Sequence, residues 1–133
     1  MAKVLNESII EAANKIGSDL KDAEFTTSQL RKFFAQVCAI QSQAGSLKSS
    51  SEREEKWARL KTKVLMLEPR LGYQIQKLQS NDKDKLKDLF LRENSSFKRL
   101  LNESKDSPED FLTFSAFVEA VVAYHRSHGG KEK

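Results

Sequence analysis

The sequence is poor in the residues that build disulfide frameworks and tight turns. Its 133 residues include one cysteine, Cys38, two prolines and five glycines. A single thiol cannot close an intramolecular disulfide, which is typical of proteins in a reducing compartment. Cys38 falls beside the apolar face of its predicted helix, so we interpret it as a small core residue. With 38% hydrophobic and 32% charged residues, the composition favours an all-helical protein with wide solvated faces.

Long apolar runs are also absent. No segment approaches the roughly 18 consecutive apolar residues that span a membrane. The N-terminal sequence lacks an uninterrupted apolar stretch followed by a cleavage site, so we expect no signal peptide. We therefore predict a cytoplasmic protein without a membrane partner.

The sequence motifs of common catalytic sites are missing as well. There is no glycine-rich phosphate loop, HExxH or GxSxG, and no general acid–base pair stands out among the carboxylates. His125 and His128 have no cysteine or carboxylate at the ligand spacing that a structural zinc site requires. We therefore predict no catalytic residue, no metal and no cofactor. The two histidines are interpreted as surface residues near a helix C-terminus.

Helical periodicity runs through nearly the whole chain. The length fits one domain, and the apolar spacing predicts an all-α, single compact bundle of five to six helices over residues 1–133. Residues 1–3 and 129–133 are expected to fray. The widest apolar face belongs to the last helix, where Phe117 and Val121 are predicted to be among the most buried residues.

Caps and breakers set the predicted helix boundaries. Thr26 and Gln29 have the spacing of a capping box at the start of the second helix, and Ser107 caps the last one. The first helix is predicted to end at Gly17. Residues 45–51, GSLKSSS, are predicted to be a short linker, and the penultimate helical region is expected to break near Asn94.

The central helical segment carries a row of positive charge. Over residues 57–78, at about 100° per residue, the apolar side chains form a core-facing stripe. A second stripe, free of Asp and Glu, holds four cations within about 40° of one another. We call these four the cation row: Arg59, Lys63, Arg70 and Lys77. At about 1.5 Å per residue the row is about 27 Å long, so it could follow the phosphates of a nucleic-acid strand.

Alternatives remain for this segment. The cation row could be the solvated flank of an amphipathic helix. Pro69 could kink one helix or separate two coaxial ones. Two further cations on neighbouring helices could extend the row: Arg31 and Arg126. Because nearly all the phenylalanines belong to core faces, we expect phosphate contacts rather than base stacking on aromatic rings.

Three segments occur in a characteristic order along the chain. They are TTSQLRKFFAQV (26–37), LKTKVLMLEPRLGYQIQKL (60–78) and FSAFVEAVVAYHRSHGG (114–130). Together they resemble the small subunit of the type III-A CRISPR effector, the Csm complex. One departure lies in QIQK (74–77), where the family often carries an arginine. Lys77 would take that place with a monodentate contact.

The resemblance implies a non-catalytic subunit of a prokaryotic, cytoplasmic antiviral complex. Several copies would form an inner filament beside the backbone subunits and the large subunit. They would bind target RNA and its duplex with crRNA through the phosphates, without reading sequence. The residues expected to bind RNA are the cation row with Arg31, Lys32 and Arg126.

Two alternatives to this assignment remain. One is the small subunit of the related type III-B complex. The other is a helical adaptor that binds only protein, through exposed apolar residues such as Leu65 and Leu91.

Overall fold

The described part of the chain forms six α-helices. The computed structural model describes residues 7–23, 25–47, 52–78, 83–92 and 95–130, and these ranges contain no strand. The helices are α1, Glu7–Asp22; α2, Thr27–Ser46; α3, Arg53–Gln76; α4, Lys83–Leu91; α5, Ser96–Glu103; and α6, Pro108–Ser127. The predicted all-α bundle of five to six helices is confirmed.

Helix α6 lies at the centre of the bundle. Apolar residues cover most of its circumference, so it can pack on several neighbours, chiefly α1 and α2. Phe117 and Val121 are fully buried, as predicted. The predicted cap is also confirmed, because Ser107 Oγ accepts a hydrogen bond from the Asp110 backbone N–H at 3.0 Å, and Pro108 occupies the first turn.

A phenylalanine cluster fixes the two short helices α4 and α5 to the core. The Phe97 ring of α5 has its centroid between 4.8 and 5.9 Å from four other phenylalanine rings. These rings come from α2, α4 and α6: Phe33, Phe90, Phe114 and Phe117. Aromatic pairs add roughly 0.5–1.5 kcal/mol beyond the area that they bury. Helices of nine and eight residues, too short to be stable alone, are held in this way.

The predicted end of α1 at Gly17 is wrong. The helix continues to Asp22, and Gly17 is buried inside it. A Cβ atom at this position would lie 2.8 Å from the His125 backbone nitrogen and 2.8 Å from the Tyr124 Cβ atom. Gly17 therefore permits a close approach of α1 to α6. Sequence alone does not distinguish such a glycine from one that terminates a helix.

The predicted linker at residues 45–51 is wrong in its first part. Helix α2 extends through Ser46, and Leu47 is buried. Residues 48–51 lie outside the described ranges. The capping box at the other end of α2 is confirmed. Gln29 N–H donates to Thr26 Oγ1 at 3.2 Å, and Thr26 N–H donates to Gln29 Oε1 at 2.9 Å. Asn94 is likewise outside the described residues, and separate helices flank it, as expected.

Helix α3 is continuous through Pro69, so the alternative of two separate helices is wrong. Proline has no N–H, and the Leu65 carbonyl therefore loses its helical partner. Pro69 lies on the exposed side of α3, where water can bind that carbonyl instead. The predicted core stripe of α3 is confirmed by its buried residues, which are Trp57, Leu60, Val64, Leu67, Leu71 and Ile75.

The interpretation of both histidines as surface residues is wrong for His125. It is fully buried, with Nε2 2.5 Å from the Phe25 carbonyl oxygen and Nδ1 3.3 Å from Thr27 Oγ1. Because a carbonyl only accepts, Nε2 carries the proton, and Nδ1 accepts from the Thr27 hydroxyl. Burial lowers the pKa of His125; its bond to Phe25 opposes this, and nearby Arg126 lowers the pKa further. The neutral ring thus ties the end of α6 to the start of α2.

Candidate nucleic-acid interface

Helices α2 and α3 pack antiparallel, and the cation row flanks their contact. Near one end of this contact, Gln74 Nε2 of α3 donates to the Gln29 carbonyl of α2 at 2.6 Å. Near the other end, the C-terminal part of α2 and the N-terminal part of α3 line a common hollow. We call the surface along this contact the α2–α3 seam. Two hollows open along it.

The larger hollow brings cations from both helices together. It has a volume of about 580 Å³ and is lined by Lys32 of α2, Arg70 of α3 and Lys77, which caps the C-terminus of α3. We call it the α2–α3 groove. Lys32 is one of the residues expected to bind RNA, and the structure places it across the groove from α3.

The smaller hollow holds the other half of the cation row. Its volume is about 290 Å³, and Arg59 and Lys63 line it beside Gln43 of α2. Lys56 lines it too, although our sequence reasoning did not include this residue. Lys56 falls at about 60° on the helical count used for the cation row, so the same periodicity could have found it.

Few carboxylates neutralise the α2–α3 seam. Arg59 pairs with Glu55 at 3.1 Å and Lys56 pairs with Glu52 at 3.8 Å, but all four side chains are about half exposed or more. Such a solvated i,i+4 pair adds little free energy and is easily exchanged for a phosphate. Within the described residues, Lys63 and Arg70 form no ion pair.

The carboxylate that precedes Arg70 in sequence is engaged elsewhere. Glu68 binds Lys98 of α5, on the side of α3 that faces the short helices. Residues 68 and 70 are about 200° apart around the helix. The ion pair therefore holds α5 against α3 and leaves the seam positive.

One aromatic side chain departs from the sequence expectation. We expected no aromatic platform, and the phenylalanine rings do lie chiefly in the core, but Tyr73 is 67% exposed and lines the α2–α3 groove. Lys77 Nζ lies 5.2 Å from the centroid of its ring, within the range of a cation–π contact. The groove thus combines an accessible ring with positive charge.

Two of the predicted site residues lie outside both hollows. Arg31 is exposed on α2, about 100° around the helix from Lys32, and Arg126 is exposed in the last turn of α6. Neither lines the α2–α3 groove or the smaller hollow. The prediction for the alternative adaptor surface is only half right. Leu65 is 52% exposed, whereas Leu91 is partly buried against the core.

The described residues offer little for metal or nucleophilic chemistry. They contain no group of three or more His, Cys, Asp or Glu side chains that could hold a metal ion. Cys38 is half-buried, and burial raises the pKa of its thiol, with Glu119 adding to the effect. None of the described helices is both long enough and apolar enough to cross a membrane.

The described residues form a small helical bundle with a basic seam, and comparison with known proteins identifies the family of the chain. The family described as Csm2 Type III-A matches residues 4–131. The chain therefore belongs to the Csm2 family and is a small subunit of the type III-A Csm complex. This membership implies association with other Csm subunits, and it argues against the type III-B alternative. No curated protein and no solved structure matches the chain.

Proposed function

We propose that this chain is a non-catalytic subunit that binds RNA through the phosphates. Copies lie side by side as an inner filament of the complex, next to the backbone and large subunits. Together they hold the target RNA and its duplex with crRNA. The observation that carries this proposal is the α2–α3 seam, where cations from two helices line two neighbouring hollows.

The charge arrangement supports contacts to phosphates rather than to base edges. Arg70 and Lys63 make no ion pair with the described residues, so neither needs to break one before it meets an anion. Each phosphate neutralised by such a side chain releases condensed counterions, whatever the base sequence. Contacts of this kind fix the position of a strand without specifying its sequence, as a subunit serving many different guides requires.

Binding by one copy is expected to be weak. A single seam contacts few phosphates, and the net charge of the chain is only +4. When several copies are aligned on one strand, each additional contact becomes effectively intramolecular, which can raise the overall affinity by orders of magnitude. The filament therefore supplies affinity that the single subunit lacks.

The absence of catalysis in this proposal agrees with the state of the nucleophilic groups. The raised pKa of Cys38 keeps the thiol protonated, and the thiolate is the reactive form. His125 is buried with both ring nitrogens engaged, so it has no nitrogen available as a general base toward a bound ligand.

The proposal is tested by titrating the purified chain with labelled RNA of two unrelated sequences over a range of salt concentrations. Lys63→Ala should weaken binding to both sequences equally and reduce the slope of log affinity against log salt by up to about one unit. Lys87→Ala is the matched control, because Lys87 is exposed on α4, away from the seam. Equal binding by the two variants would refute the assignment of the seam to RNA.

A further inference from the structure

We propose that the α2–α3 groove receives one unpaired RNA base, stacked on Tyr73, while Arg70, Lys32 and Lys77 hold the adjacent phosphates. This inference rests on the proposed function and assigns a specific ligand to the groove. The subunit would then recognise a whole nucleotide, with its base, rather than phosphates alone.

The groove has the size and the mixed surface of a ligand site. Its volume of about 580 Å³ falls within the roughly 300–1,000 Å³ of small-molecule pockets. Met66 and Leu78 contribute apolar surface, and three cations stand beside it. A nucleotide carries the same combination, because its base is flat and largely apolar on both faces and its phosphate is an anion.

Tyr73 supplies a stacking surface that the fold does not use. Its side chain is 67% exposed, so packing inside the bundle does not account for the aromatic ring. Met66, also in the groove, is 42% exposed. In sites for single-stranded nucleic acids, bases stack on exposed aromatic side chains. Such stacking tolerates any sequence, because every base has a π face.

One buried amide oxygen in the lining of the groove has no hydrogen-bond partner among the described residues. Gln74 donates to the Gln29 carbonyl, and the Gln29 side chain accepts from Thr26 in the capping box. Gln36 Oε1, in contrast, is shielded from solvent and has no hydrogen-bond partner among the described residues. Because Gln36 lines the groove, the edge of an unpaired base bound there could supply the missing partner.

The charge of the groove favours a nucleotide over a protein segment. An apolar helix from a neighbouring subunit would bury Lys32, Arg70 and Lys77 without a counter-charge, and burying unpaired cations is costly. An RNA strand brings one phosphate per nucleotide and meets the same cations with opposite charge. The groove is therefore suited to RNA, and occupancy by a neighbouring subunit becomes an outcome of the test.

The test compares two labelled strands of equal length, one of ordinary RNA and one in which the nucleotides are abasic. Both carry the same phosphates, so phosphate contacts alone predict equal affinity for the full-length chain. Insertion of a base predicts that the ordinary strand binds at least about fivefold more tightly. A strand with 2-aminopurine as its base should also change fluorescence on binding, because stacking on a ring alters its emission.

Variants assign this difference to the groove. Tyr73→Ala should remove the preference for the ordinary strand and the fluorescence change, whereas Tyr73→Phe should keep both, since the ring is retained. Leu65→Ala, which removes a similarly exposed apolar side chain of α3, should have no effect. Tyr73 is exposed, so the melting temperature of Tyr73→Ala should match that of the parent protein.

Three results would overturn the inference, and they differ in whether the proposed function still holds. If both strands bind equally and Tyr73→Ala has no effect while Arg70→Ala still weakens binding, the seam contacts phosphates only and the proposed function stands. If Arg70→Ala also has no effect, the proposed function fails with it. If Tyr73→Ala instead prevents assembly of the complex without changing RNA affinity, the groove holds a neighbouring subunit.

Discussion

The close contact between α1 and α6 leads us to predict that replacing two helical glycines by alanine changes the free energy of unfolding in opposite directions. Gly17 lies inside α1, and a Cβ atom there would be 2.8 Å from the His125 backbone nitrogen. A backbone atom cannot rotate away as a side chain can, so the two helices must separate. Gly72 lies inside α3, where a Cβ atom would contact Leu91 Cδ1 at an ordinary distance of 3.7 Å and, apart from the adjacent backbone of α3, no other atom of the described residues within 4 Å.

The magnitudes follow from two competing effects. Replacing a helical glycine by alanine stabilises a helix by about 0.8–1.0 kcal/mol. Overpacking a tight contact costs about 1–3 kcal/mol. Gly72→Ala should therefore raise the free energy of unfolding by up to about 1 kcal/mol. Gly17→Ala should lower it by up to about 2 kcal/mol, since the overpacking cost is offset by the gain in helix propensity.

Urea unfolding, followed by circular dichroism at 222 nm, measures the free energy of unfolding of each variant and of the parent protein. The two variants should differ by about 1–3 kcal/mol with unchanged denaturant slopes. Stabilisation of similar size in both variants would show that α1 and α6 do not approach closely at Gly17. The packing described for the C-terminal end of α6, including the burial of His125, would then be wrong as well.

Two further predictions concern the core and its response to pH. Phe117→Ala should lower the free energy of unfolding by about 3–5 kcal/mol, and a loss below about 1 kcal/mol in urea unfolding would place α6 at the periphery. Burial lowers the pKa of His125 in the folded protein, so the unfolded chain, with a histidine pKa near 6.5, binds more protons. Stability should therefore fall as the pH drops below about 6.5, and His125→Gln should show a flatter dependence across that range in thermal unfolding.

Features with a local physical cause could be predicted from the sequence. The capping box at Thr26 and the cap at Ser107 depend on side chains that bond to backbone groups three residues away. The burial of Phe117 follows from a periodicity contained within one helix. The cation row was found by the same periodicity, and its members are exposed in the structure.

Features that depend on a partner helix could not be predicted in this way. The role of Gly17 depends on the α6 backbone beside it, and the His125 ring is buried where it bonds to Phe25 and Thr27, about 100 residues away in sequence. Helical periodicity places Tyr73 beside the cation row, but its position in a groove with Lys32 depends on how α2 packs against α3. These residues lie at close helix contacts or in the candidate site, and their roles depend on how the helices pack together.

The most direct test of the RNA-binding seam uses the assembled complex with its target RNA. Arg59, Lys63 and Arg70 are replaced together by alanine in this subunit. The control replaces Lys87, Arg92 and Arg99, which are equally charged and exposed on another part of the surface. We predict that both variants fold and assemble, and that only the seam variant loses target RNA in a filter-retention measurement. A seam variant that retains RNA normally but fails to assemble would contradict this, and would make the α2–α3 seam a contact between protein subunits.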